Sequence, residues 1–279
     1  IRDFKSIVSR YEVVFFDAYG VLKNYNGLIP GVDKTITFLK TKGIDFYILT
    51  NDASRGPAEL ALSYQKLGIE DITEEKIISS GMLAREYLRY KVKKGTVAYL
   101  GPSKSAHYIE TLGLKTMPIR ELEIGDCEDI NALVLLDDEG FEWSRDINKV
   151  VNLLRQRTIP VIVANTDMAY PVSDEQVAVA IGGIAGMVEQ IVNKKFIKFG
   201  KPDSQMFMFA YEQILAKRQV GKEKILMVGD TLKTDILGAN KFGIDTVLVL
   251  SGNTLPEQAS SLIHSTGIIP NYICENALV

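Results

Sequence analysis

Residues Tyr11-Glu-Val-Val-Phe-Phe-Asp-Ala-Tyr-Gly-Val-Leu22 decide how this chain is to be read. Val13 to Phe16 is a short apolar run of β-branched and aromatic side chains, the pattern of a strand buried on both faces. It delivers one carboxylate, Asp17, and a following glycine, Gly20, lets the backbone turn sharply. In an open parallel sheet, ligands gather beyond the carboxyl ends of the strands, so Asp17 stands where chemistry is expected. An Asp close to a Gly is also ordinary turn chemistry, and this stretch alone leaves both readings open.

The same arrangement recurs along the chain. Asp45-Phe-Tyr-Ile-Leu49 is a second apolar run and ends in Thr50-Asn51. Lys224-Ile-Leu-Met-Val228 is a third and ends in Gly229-Asp230-Thr-Leu-Lys-Thr-Asp235. Between them, Phe199-Gly-Lys-Pro-Asp203 offers one lysine just before a proline, in a segment biased to be extended. In this order the four pieces resemble the signature motifs of the haloacid dehalogenase superfamily. The resemblance implies that Asp17 is a nucleophile, that Thr50 and the Asn51 main chain bind a phosphoryl group, and that Lys201 steadies its charge. It further implies Mg²⁺ as cofactor, held by Asp17, Asp230 and the Tyr19 main-chain carbonyl, with Asp235 close by.

Ile29-Pro-Gly31, Ala164-Asn-Thr-Asp167 with Pro171, and Val228-Gly-Asp-Thr-Leu-Lys-Thr-Asp-Ile236 narrow the resemblance to the nitrophenylphosphatase branch. That branch includes pyridoxal phosphatases and bacterial nucleotide and sugar phosphatases. It implies a large α/β cap inserted between the second and third motifs, pairing of two copies through their caps, and a cap loop bearing Asn165 and Asp167 near the substrate. Arg55, just after the second motif, is a candidate for a substrate anion. The likeness runs from about Phe15 to Gly252 and is weakest at 101–131.

Composition sets the outer limits. A length of 279 residues exceeds a typical single domain, and 46% hydrophobic residues supply a full core. The net charge of −3 gives no basic footprint and argues against nucleic acid as a partner. No apolar run nears the roughly 20 residues that span a bilayer. Two cysteines, Cys127 and Cys274, make no disulfide framework and suit a cytoplasmic protein. Ile1 rather than Met opens the sequence, so a targeting segment upstream stays an open matter.

In chain order, a helix is expected from Val32 to Lys40, stopped by Gly43, and another with Leu60, Tyr64 and Leu67 on one face. A third spans 79–90, with Ser80 as N-cap. Strand alternating with helix predicts an α/β fold, a doubly wound parallel-sheet (Rossmann-like) core. Strands at 96–100, 132–136 and 161–164, with helices at 103–111 and 144–155, restart that rhythm without any of the motifs. They predict an inserted α/β cap domain at 82–182, with a discontinuous core of 1–81 and 183–279. In that division Gly182-Gly183-Ile-Ala-Gly186 is a hinge leading into a core helix, and 246–250 is the last central strand.

One position departs from the phosphatase pattern. Phosphatases of the superfamily carry a second Asp two residues after the nucleophile, serving as general acid and then base, and here Tyr19 occupies that place. A phenol with pKa near 10 is a poor base at neutral pH. Asp-Ala-Tyr-Gly resembles instead the motif of haloacid dehalogenases, whose displacement at carbon needs no metal. The expected activity is a Mg²⁺-dependent phosphoric monoester hydrolase of small phosphorylated metabolites. Two alternatives stand beside it: a carbon–halogen hydrolase, and a weakly active protein that binds a phosphorylated metabolite. Met206, Phe207, Phe209 and Tyr211 read as a helix's core face, Asp137-Asp-Glu139 as a solvated turn, and His107 and His264 as residues outside any metal site.

Overall fold

The computed structural model describes residues 2–173 and 176–279. They form two compact units: 1–50, 57–78 and 201–279 in the first, 51–56 and 79–200 in the second. Each contains its own parallel sheet with helices, so the expected α/β class holds.

The first unit is organised by a six-stranded sheet in the order Tyr272–Cys274, Asp245–Val249, Ile225–Gly229, Val13–Phe16, Asp45–Thr50, Ile77–Ser79. The ladders joining the first five of these strands are parallel. Val13–Phe16 is fully buried, as its uniformly apolar sequence requires. Val14, Phe16, Ile48, Leu226 and Val228 pack with the helix residues Val32, Ile36 and Leu39 into one core. From Val13–Phe16 the chain builds outward to Asp45–Thr50, then crosses to the opposite side at Ile225–Gly229. That reversal of direction opens a crevice at the carboxyl ends of the two central strands. Asp17 follows one and Asp230 follows the other, and the Asp17 amide donates to the Val228 carbonyl at 2.9 Å.

The second unit carries a five-stranded sheet, Ile197–Lys198, Val161–Val163, Ile130–Leu135, Thr96–Leu100, Lys115–Pro118, with every ladder parallel. An antiparallel hairpin, Ala169–Pro171 with Val177–Val179, stands beside it in sequence as a separate ribbon.

Several boundaries differ from the sequence expectation. The return to the first unit comes at 201, not 183. The helix Ile181–Val192 buries Ile181, Ile184, Ala185 and Val188 in the second unit's core with Phe196, and the strand Ile197–Lys198 pairs with Val161–Val163. The glycines at 182–186 are therefore not a hinge. Gly182 lies inside that helix, and a Cβ there would come within 2.5 Å of the Asp167 carbonyl oxygen, so it allows a close approach of helix to turn. Asp245–Val249 is the last central strand as expected, and the later strand Tyr272–Cys274 pairs outside it at the sheet edge. Ser79, extended at φ −111° and ψ 153°, caps the helix Ser80–Lys91 in place of Ser80. Leu67 is exposed and lies beyond the end of the helix Pro57–Gln65.

Candidate active site

In the first unit, Asp17, Asp230 and Asp235 bring one carboxylate oxygen each within 4.8 Å of one another. Asp17 is partly exposed, while Asp230 and Asp235 are 1% and 0% exposed. Lys201, itself 2% exposed, reaches two of them, with Nζ 2.6 Å from Asp17 Oδ1 and 2.6 Å from Asp235 Oδ1. Local chain geometry sets these positions. Asp230 leaves Ile225–Gly229 directly, whereas Asp235 sits in a wide helical turn, Leu232–Ile236, that brings its other oxygen 3.1 Å from the Thr231 amide. Thr50 ends the strand Asp45–Thr50 and is buried.

Fully ionised, three carboxylates against one ammonium would leave two negative charges uncompensated at a largely buried site. Burial, and then the charge of Asp17, push the Asp230 carboxyl up to about 7. Burial also lifts Asp235 well above the usual carboxylate range, against the pull of Lys201. Such a cluster of hard oxygens is repulsive without a counter-ion and fits a divalent cation.

The sequence reading missed the residues that hold Asp230. Its Oδ2 accepts from the Asn253 amide at 2.6 Å and its Oδ1 from the Thr231 hydroxyl at 2.9 Å. A Cβ on Gly20, at φ +81°, would fall 2.1 Å from Asp230 Oδ2. Gly20 therefore serves both the turn after Asp17 and the space around the second carboxylate. Ser251 donates to the Gly20 carbonyl at 2.7 Å. The turn-forming run Ser251-Gly-Asn253 after a strand was the available signal. Tyr19 immediately precedes Gly20, and burial raises its phenol further above an already high pKa.

The other expected residues belong to the second unit. The Asn51 side-chain amide donates to Asp167 Oδ1 at 2.9 Å and to the Thr166 hydroxyl at 3.2 Å. Asn165 is buried and accepts from the Asp167 amide at 2.8 Å, closing a local turn at the end of Val161–Val163. Arg55 lies in the 51–56 segment with its Nε 3.3 Å from the Ser54 hydroxyl. Asp137 and Asp138 are not a solvated turn but half-buried. Asp138 accepts from the Tyr170 hydroxyl at 2.9 Å, and burial pushes Asp137 up to about 7. Met206 and Phe207 are core residues of the helix Ser204–Leu215 as expected.

Comparison with known proteins accords with these features. Residues 14–115 match the family described as haloacid dehalogenase-like hydrolase, and residues 198–277 match the HAD-hydrolase-like family. A crystal structure from Cytophaga hutchinsonii, described as a "possible sugar phosphatase, HAD superfamily", shares 57% identity. It superposes with a TM-score of 0.96 over 100% of this chain and 98% of the other. The chain belongs to the haloacid dehalogenase-like hydrolases. Chronophin from Bos taurus is 28% identical over 98% of this chain and 93% of its own length. The dihydroxyacetone phosphatase of Corynebacterium glutamicum is 27% identical over 85% of this chain and 80% of its own. The doubly wound core with an inserted cap and the phosphatase class expected from the sequence agree with these matches. No helix among the described residues is long and apolar enough to cross a membrane.

Proposed function

We propose that this phosphatase of small phosphorylated metabolites is Mg²⁺-dependent and works through an aspartyl-phosphate on Asp17. The observation that carries the reading is the buried set of three carboxylates served by one lysine. Lys201 grips Asp17 Oδ1, which fixes the rotation of the carboxylate. An Asp17 oxygen attacks phosphorus, and the bond from phosphorus to the ester oxygen breaks, releasing the alcohol or phenol side. Water then attacks the same phosphorus, the bond to Asp17 breaks, and inorganic phosphate leaves. Thr50, the Asn51 main chain and Lys201 would gather the transferring oxygens, where charge develops. Asp17, Asp230 and the Tyr19 carbonyl would hold Mg²⁺, with Asp235 outside them, and the bound ion would neutralise phosphoryl charge.

Tyr19 supplies no carboxylic acid, and burial raises its phenol further, so still less phenolate is present to act as a base. Esters whose leaving group departs unaided should therefore be preferred, aryl and acyl phosphates over alkyl sugar phosphates. Displacement of halide from carbon by Asp17 would leave the buried acid cluster without a purpose, so the phosphoryl reading is favoured. A panel of phosphorylated metabolites and nitrophenyl phosphate, assayed for free phosphate with Mg²⁺ and again with EDTA, tests it. Phosphate release abolished by EDTA is expected. Activity that survives EDTA, or halide freed from a 2-haloacid without metal, contradicts it.

The second unit would act as the cap that selects substrate, with Asn165, Asp167 and Arg55 as its contacts. Its hairpin supports pairing of two copies through the cap. Ala169 lies opposite Val179 and Pro171 opposite Val177, and Met168, Val172, Val177 and Val179 are all exposed. A twofold axis through such an apolar ribbon would make a self-complementary contact. Light scattering should give a dimer that Val177→Lys converts to monomer, and a monomeric wild-type protein would contradict this. Both cysteines are buried free thiols, which suits the reducing cytoplasm.

A further inference from the structure

The turn that follows the second motif is strapped to the second unit at both ends. At its start, the Ser80 hydroxyl donates to the Asn51 carbonyl at 3.0 Å, and the Asn51 amide reaches Asp167 and Thr166. Inside it, Asp52 Oδ1 accepts from the Ser54 amide and hydroxyl at 2.9 and 2.6 Å. At its end, the Tyr108 hydroxyl donates to the Arg55 carbonyl at 2.8 Å and meets the Ser79 hydroxyl at 2.7 Å. The His107 ring crosses the edge of Tyr108 and lies against Gly56, where a Cβ would meet it at 2.7 Å.

Tyr108 is 1% exposed, and nothing in the catalytic scheme above uses it. Burial pushes its phenol up, so it stays a proton donor across the working range. The half-buried Arg55 carbonyl deprived of this donor would lose its bond to the Tyr108 hydroxyl, and the cheapest relief is for the turn to move. Thr50 and Asn51 are joined by one peptide bond, and the first counts with the first unit and the second with the other. Disorder in 51–56 is thus felt at the Asn51 main chain.

We propose that Tyr108 is a positioning residue for the phosphatase reaction: its buried hydroxyl fixes the Arg55 carbonyl and thereby holds the 51–56 turn in the shape that presents Asn51 to the transferring phosphoryl group. The proposal rests on the phosphatase reading. Misplacement of a group that acts on the transition state lowers kcat more than it raises KM.

The test compares Tyr108→Phe with Ser79→Ala, which removes the neighbouring hydroxyl and a helix cap but leaves the Tyr108–Arg55 bond in place. Hydrogen exchange of the 51–56 amides should quicken about fivefold or more in Tyr108→Phe and hold in Ser79→Ala. With nitrophenyl phosphate, kcat should fall about tenfold in Tyr108→Phe alone, with KM within about twofold. Unchanged exchange at 51–56, or a kcat loss matched by Ser79→Ala, overturns the proposal. Should Tyr108→Phe fail to fold, Ser80→Ala cuts the strap at the other end and carries the same two readouts. A wild-type protein that releases no phosphate from any ester refutes the phosphatase reading, and the exchange comparison then decides this one by itself.

Discussion

Two parallel sheets in this chain end in polar turns, and the turns differ in charge. Beyond the central strands of the first unit lie three acids and one lysine, with excess negative charge and two carboxyls lifted by burial. Beyond the strand Val161–Val163 of the second unit lies a network built largely of neutral donors and acceptors: Asn165, Thr166, Asn51, Ser80 and Tyr108, with Asp167 and Asp52 as charged members. The first arrangement is costly until something of opposite charge joins it. The second is knit by hydrogen bonds between its own members, which give rigidity. Under the proposed function, the same strand-to-turn geometry would serve reaction in one unit and positioning in the other.

The comparison can be strained first at Tyr19. Tyr19→Asp restores a carboxylate beside the nucleophile and should raise the steady rate on alkyl phosphates by about 10²–10⁴. A rate that does not improve would assign the protein to binding rather than turnover. The excess charge offers a smaller, thermodynamic test. In the presence of EDTA, Asp235→Asn should raise Tm by a few degrees, because it removes one of the repelling buried charges. Added Mg²⁺ should raise the Tm of the wild type and do less for Asp230→Asn, which loses a ligand. A wild-type Tm indifferent to Mg²⁺ would mean that Lys201 alone suffices to balance the acids.

How much of this was legible in the sequence follows the same division. Asp17, Thr50, Lys201, Asp230 and Asp235 stand at the ends of apolar runs or beside a proline, where residue type and spacing carry the signal. The structure places all of them in one unit. Asn253 and Ser251 escaped because they act through a main-chain amide and a single hydroxyl, which leave little trace in residue type. Tyr108 escaped for another reason: its partner is a carbonyl 53 residues away, and nothing local marks it. The unit boundary was misplaced at 183 because Ile181, Ile184, Ala185 and Val188 form an apolar stripe that either core could have buried. The strand Ile197–Lys198, two residues long, was too short to show a period.

The central claim is that phosphorus passes through Asp17 and waits there for want of a base. A good leaving group excuses the missing acid in the first step, but water must attack the same aspartyl-phosphate whatever the substrate was. Rapid acid quench of the wild type with nitrophenyl phosphate and Mg²⁺, followed by intact-mass measurement, reads this directly. The account predicts a burst of nitrophenol close to one equivalent per site and one added phosphoryl group on the protein, lost in Asp17→Asn. A linear trace with no phosphorylated protein would contradict it.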